Sequence, residues 1–135
     1  MKYQFYNELP KDAKYIREEV FMKEQGFQDE FDEIDYHCLH LVIEDDKAIG
    51  CARMYEKNNE MVLGRIAVLK EYRHLHIGSY ILKTLEEKAK ELGYSKVVLS
   101  AQVRAQLFYE KNGYQTQGEE YLDEYCPHIF MYKEL

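Results

Sequence analysis

Residues 64–102 read GRIAVLKEYRHLHIGSYILKTLEEKAKELGYSKVVLSAQ: an apolar stretch, a basic turn, a long periodic segment and a second apolar stretch. In the middle, Ile77, Ile81, Leu85, Ala89 and Leu92 trace one face of a helix that Gly93 ends. On either side, MVLGRIAV at 61–68 and KVVLSA at 96–101 read as buried strands. Strand, long helix, strand implies a right-handed parallel crossover. Gly64, inside the first strand, marks a bulge or a close backbone approach.

Working outward from the crossover, residues 2–8 predict a short strand and residues 10–25 a helix, with Ala13, Ile16, Val20 and Phe21 at helical spacing. Residues 38–43 and 48–55 form a hairpin around Glu44-Asp45-Asp46-Lys47, and Asn58-Asn59 marks the next turn. Past the crossover, residues 104–111 predict a short helix, and residues 114–118 and 128–133 predict closing strands. The fold class is therefore α/β with a mixed sheet, in one domain over residues 1–135.

Composition narrows the function. A chain with 46% hydrophobic residues and two prolines is globular. The net charge of −7 speaks against a nucleic-acid partner, because phosphate binding needs clustered Lys and Arg. Cys38, Cys51 and Cys126 are too far apart for a zinc ribbon or a disulfide framework. The N-terminal residues lack the apolar core of a signal peptide, and no run has the length of a membrane helix. The expectation is a soluble cytoplasmic protein without a membrane partner. Its thirteen tyrosines and its sheet edge are compatible with a homodimer.

The basic turn carries the chemistry. A strand running through Arg73-His74-Leu75-His76-Ile77-Gly78-Ser79 into a long helix brings unpaired N–H donors and the positive helix end to one spot, which suits an anion. A diphosphate fits best, with Arg73 adding charge and Gly78 allowing close approach. An ordinary structural turn stays open on this segment alone. A metal site at His74 and His76 is disfavoured for want of a third ligand, and the phosphate-loop and dinucleotide glycine patterns are absent.

Residues 64–102 together with AQLFYEKNGYQTQGE at 105–119 closely resemble the GCN5-related N-acetyltransferase (GNAT) family. His76 stands where the family loop has its first glycine. EFDEIDYHCLHLV and GEEYLDEYCPHIFMY resemble an ElaA-like or YjcF-like subgroup, extending the likeness over nearly the whole chain. The resemblance implies a GNAT-type sheet, mostly antiparallel, whose strands splay to admit acetyl-CoA, and transfer of the acetyl group to a primary amine. Ile66, Ala67 and Val68 would pair with the pantetheine arm and polarise the thioester carbonyl. Residues 73–79 would hold the diphosphate, Gln102 an amide of the arm, and Phe108 and Tyr109 would complete the cofactor-binding set.

By the same resemblance Tyr109 is the general acid; a core aromatic is the plainer reading. For the acceptor side and the base, Glu33, His37, His40, Glu119 and His128 are candidates, although His40 equally suits a core histidine and His128 a strand-end polar residue. The acidic run between Glu24 and Asp35 reads as a solvated rim that draws cationic amines. Two other readings compete: a non-catalytic acyl-CoA-binding sensor, and a cysteine nucleophile.

Overall fold

The computed structural model describes residues 1–135. Seven strands form one sheet: β1 (Lys2–Tyr6), β2 (Leu39–Asp45), β3 (Lys47–Lys57), β4 (Glu60–Val68), β5 (Lys96–Gln102), β6 (Gln115–Asp123) and β7 (Cys126–Glu134). Their spatial order is β1-β2-β3-β4-β5-β7-β6. Every neighbouring pair is antiparallel except β4 and β5. That parallel pair flanks the predicted crossover helix, α2 (Ile77–Glu91). The α/β mixed-sheet class expected from the sequence is the class observed.

Alternation along the strands divides the core between two faces. Leu41, Ile43, Ala52, Met54 and Leu63 pack with Ile81, Leu82 and Leu85 of α2. The intervening residues Val42, Cys51 and Ala67 pack with Ala13 and Ile16 of α1 (Lys11–Arg17) and with Val20 and Phe21. The helix predicted over 10–25 is present, but after Arg17 it widens into a π-helix, Glu18–Glu24. The closing strands are longer than predicted. All nine residues of β6 are exposed, so that strand has no apolar alternation for a sequence reading to detect.

On the α1 face lies a buried charge network. Arg17 donates to Glu30 (2.8 Å) and Asp35 (2.7 Å), and Arg53 donates to Asp32 (2.8 Å) and Asp35 (2.9 Å). Arg65 donates to the Glu30 carboxylate (2.7 Å) and its carbonyl (2.9 Å). Arg17, Glu30, Asp35 and Arg53 are all nearly inaccessible to solvent. The acidic run is thus only in part the solvated rim that composition suggested: Glu30, Asp32 and Asp35 are neutralised by arginines from α1, β3 and β4, while Asp29 and Glu33 stay exposed. Asp32 also caps the 3₁₀ turn Glu33–Tyr36, with Asp35 completing a capping box.

Burial pushes the Asp35 carboxyl up, but the hydrogen bonds and charge of Arg17, the backbone N–H of Asp32 and the hydrogen bond of Arg53 together outweigh it and hold it at about 2. Because this value lies below the ordinary 3.8, the stability from Asp35 is complete above pH 3.8 and is lost as pH falls through about 2. Asp35→Asn leaves Arg17 and Arg53 short of a buried anion. Urea unfolding at pH 7 should register a loss of about 3–5 kcal/mol. A loss below about 1 kcal/mol would show that the network does not hold the fold together.

Candidate active site

β4 and β5 pair through only three residues each, Met61 to Leu63 against Val97 to Leu99. Beyond them the strands separate, β4 staying on β3 and β5 staying on β7. Two residues of β4, Arg65 and Ile66, lie opposite the single residue Ala52 of β3, which makes a bulge. The bulge expected near Gly64 falls one residue later, at Arg65, whose φ is +51°. A side chain in that left-handed conformation costs about 1–2 kcal/mol. Arg65's bonds to Glu30 hold it there, so the charge network shapes the strand at the point of divergence.

Past the bulge, the Leu69 N–H is spent on the Ile49 carbonyl of β3. Strand alternation therefore turns the Val68 N–H toward the opened edge. No strand partners that edge from Gly64 to Val68. Two cavities meet in the gap.

The larger, about 750 Å³, is lined by Ile66, Ala67, Val68, Arg73, His74, His76, Ile77, Gly78, Ser79, Phe108 and Tyr109, together with Lys111 and Asn112. It thus gathers all the predicted cofactor-binding residues except Gln102 and Leu75, and no carboxylate lines it. Leu75 is 61% exposed. Gln102 lines the other cavity, where its amide donates to Gln25 (2.8 Å) and accepts from Arg104 (2.7 Å).

The entry to α2 is shaped as an anion-binding turn. His74 and His76 have φ of +66° and +62°, the region that favours glycine. No side chain caps the helix, and its first residues, Ile77, Gly78 and Ser79, line the cavity with N–H groups that have no side-chain partner. A histidine in this conformation carries strain that a glycine would not.

Two expectations about this turn change. Gly78 makes room for a ring rather than a ligand: a Cβ there would lie 2.9 Å from Phe108 Cζ. Arg73 is not a free cation, because it grips Glu24 at 2.6 and 2.7 Å and donates to the Val68 carbonyl at 3.0 Å. This pairing lowers the Glu24 pKa and raises that of Arg73, the hydrogen bond being the main cause in each case.

The second cavity, about 470 Å³, is lined by Asp29, Glu30, Asp32, Arg65, Ser100, Asp123, Glu124 and His128, among others. Of the predicted acceptor-side residues only His128 is here. Glu33 is exposed on the 3₁₀ turn outside the cavity. His40 is sealed in the core: its Nε2 contacts the Asp35 carbonyl (2.9 Å) and Cys38 Sγ (3.3 Å), and burial lowers its pKa. It therefore cannot meet a substrate, and neither His37 nor Glu119 lines the cavity.

Gln25, Ile66, Ala105 and Tyr109 line both cavities. Tyr109, on α3 (Gln106–Lys111), packs edge-on against Phe108 (5.1 Å) and Tyr114 (5.8 Å). Its hydroxyl has no hydrogen-bond partner within the chain, and burial pushes it up to about 12, so it stays protonated. Burial also pushes the Cys38 thiol up to about 11 and Cys51 up to about 12, which removes them as nucleophiles. Asp35, Cys38 and His40 bring ligand-type atoms within 4.8 Å, but the Asp35 oxygens are already occupied by Arg17 and Arg53.

Comparison with known proteins fits this geometry. The family model for the acetyltransferase (GNAT) domain matches residues 10–135. This chain belongs to the GNAT acetyltransferase family. It is 42% identical over 128 residues to the uncharacterized N-acetyltransferase YjcF of Bacillus subtilis (strain 168), covering 92% of this chain and 91% of YjcF. Escherichia coli ElaA superimposes with a TM-score of 0.84 at 26% identity, covering 98% of this chain and 99% of ElaA. An aminoglycoside 6'-N-acetyltransferase complexed with coenzyme A shares the fold, with a TM-score of 0.77 at 15% identity over 99% of this chain and 97% of that one.

The loop carries two left-handed histidines, and that strain is measurable. His76→Gly should raise the unfolding free energy by up to about 1 kcal/mol, whereas β-branched His76→Val should lower it by about 1–2 kcal/mol. Equal stability of the two variants would contradict the left-handed assignment.

Proposed function

We propose that this GNAT protein transfers the acetyl group of acetyl-CoA to a primary amine of a small molecule. One observation carries the reading: a cavity without carboxylates and a cavity rich in them meet at Tyr109. The first suits an anionic carrier and the second a cationic amine. The aminoglycoside acetyltransferase of the same fold was solved with coenzyme A, which supports that choice of carrier. When bound, acetyl-CoA supplies an acetyl carbon activated as a thioester.

The residues divide the remaining tasks. Backbone N–H groups of residues 74–79 hold the diphosphate at the start of α2, with Lys111 and the two histidines adding donors. The Val68 N–H and, two positions earlier, that of Ile66, on the unpartnered edge of β4, pair with the pantetheine arm and polarise the thioester carbonyl, while Ala67 stays bonded to β3. Tyr109 gives its phenolic proton to the departing thiolate, a role supported by its free hydroxyl and raised pKa. Asp29 and Asp123, whose carboxylates have no arginine or lysine partner, draw the cationic acceptor to the rim.

Two measurements test this. Tyr109→Phe should lower the rate of thiol release from acetyl-CoA with a primary amine by about 100-fold or more while leaving the calorimetric affinity for CoA unchanged. An unaltered rate would remove Tyr109 from the mechanism. Glu24→Gln releases Arg73 toward the diphosphate and should tighten CoA binding severalfold at low salt. Weaker binding would mean that the Glu24 pair positions Arg73 rather than neutralising it.

A further inference from the structure

The acceptor cavity needs a group that removes a proton from the amine, since an ammonium nitrogen has no lone pair with which to attack. Most of its polar residues are already engaged. Glu30 and Asp32 are bound to arginines, and Glu124 accepts the backbone N–H groups of Gln28 and Asp29, each at 3.2 Å. Asp29 and Asp123 lie on the exposed rim. Gln102 is committed to Gln25 and Arg104, and Ser100 Oγ contacts the Tyr121 hydroxyl.

His128 differs from all of them. It is 6% exposed, yet it lines the cavity. Its Nδ1 lies 2.9 Å from the carbonyl oxygen of Cys126. A carbonyl can only accept, so Nδ1 carries the hydrogen and Nε2 of the neutral ring is a bare lone pair. Nε2 has no partner in the chain and is not sealed from the cavity.

The ring is also held in place. Tyr121 stacks on it at 6.1 Å and Phe27 meets it edge-on at 6.4 Å. A bulge in β6 between Gln117 and Tyr121 brings Tyr121 into register with His128, which on its other side pairs with Gln102 at the end of β5. His128 thus stands at the divergence of the strands, in the same cavity as Tyr109.

We propose that His128 is the proton acceptor for the incoming amine, an inference that rests on the acetyltransferase reading above. An ammonium N–H bond breaks, its electron pair remains on nitrogen, and the proton bonds to Nε2. The imidazolium later releases that proton to solvent. The charged and titratable groups that face this step are Asp29, Glu30 and Asp32 from the acidic loop, Arg65 from β4, Tyr109 from α3, and Tyr121, Asp123 and Glu124 from β6 and its turn.

Two readouts test the proposal. In protein labelled with ¹⁵N-histidine at neutral pH, the resonance lost in His128→Gln should report the Nδ1–H tautomer; an Nε2–H tautomer overturns the proposal without any acceptor being present. Then, with acetyl-CoA and a panel containing spermidine and tyramine, His128→Gln and His128→Asn should lower kcat/KM about 100-fold at neutral pH and recover part of that loss as pH rises toward the amine's own ionisation, with CoA affinity unchanged. Rates within threefold of the unaltered protein overturn His128 as base and leave the acetyltransferase reading intact. Absence of both turnover and CoA binding in the unaltered protein would overturn that reading and, with it, this proposal.

Discussion

The architecture depends on how long β4 and β5 remain together. Two parallel neighbours bonded along their full length would leave no amide free and no cleft. Here the pairing ends after Leu63, and the bulge at Arg65 fixes the point at which the strands part. The bulge places an arginine in a backbone conformation that it does not favour, and its two oxygen acceptors on Glu30 hold it there. Glu30 is held by Arg17, Arg17 by Asp35, and Asp35 by Arg53. A chain of ionic hydrogen bonds running from α1 through β3 thus ends at the strand that opens.

The same network sorts charge. By absorbing Glu30, Asp32 and Asp35 it prevents an acidic protein from flooding its own cleft with negative potential. The larger cavity remains free of carboxylates although the chain as a whole carries −7. On the other side, unneutralised Asp29 and Asp123 give the smaller cavity its sign. Tyr109, kept protonated by burial, stands where the two environments meet.

Much of this was legible in the chain. The helical face from Ile77 to Leu92, between two apolar runs, implied the crossover because its periodicity is local and strong. The turn from Arg73 to Ser79 and the aromatic pair Phe108-Tyr109 stood out because their residue types belong to short continuous segments, and all of them but Leu75 line one cavity. Contacts between distant segments were not. Nothing in the spacing of Arg17, Arg53 and Arg65 says that they share the carboxylates of residues 30–35, so the acidic run read as solvated. Gly78 looked like a ligand-facing glycine because Phe108, thirty positions away, gives no local sign of packing on it. His40 and His128 read alike in sequence. What separates them is that one Nε2 faces a buried carbonyl and the other an open cavity.

The central claim is that the gap between β4 and β5 receives the thioester carrier while the first turn of α2 receives its diphosphate. An amide chemical-shift titration with CoA tests it residue by residue. The largest changes should fall on Ile66 to Val68 and on His74 to Ser79, with smaller ones at Phe108 and Tyr109. Saturable changes confined to any other part of the sheet, or none at all, would contradict it.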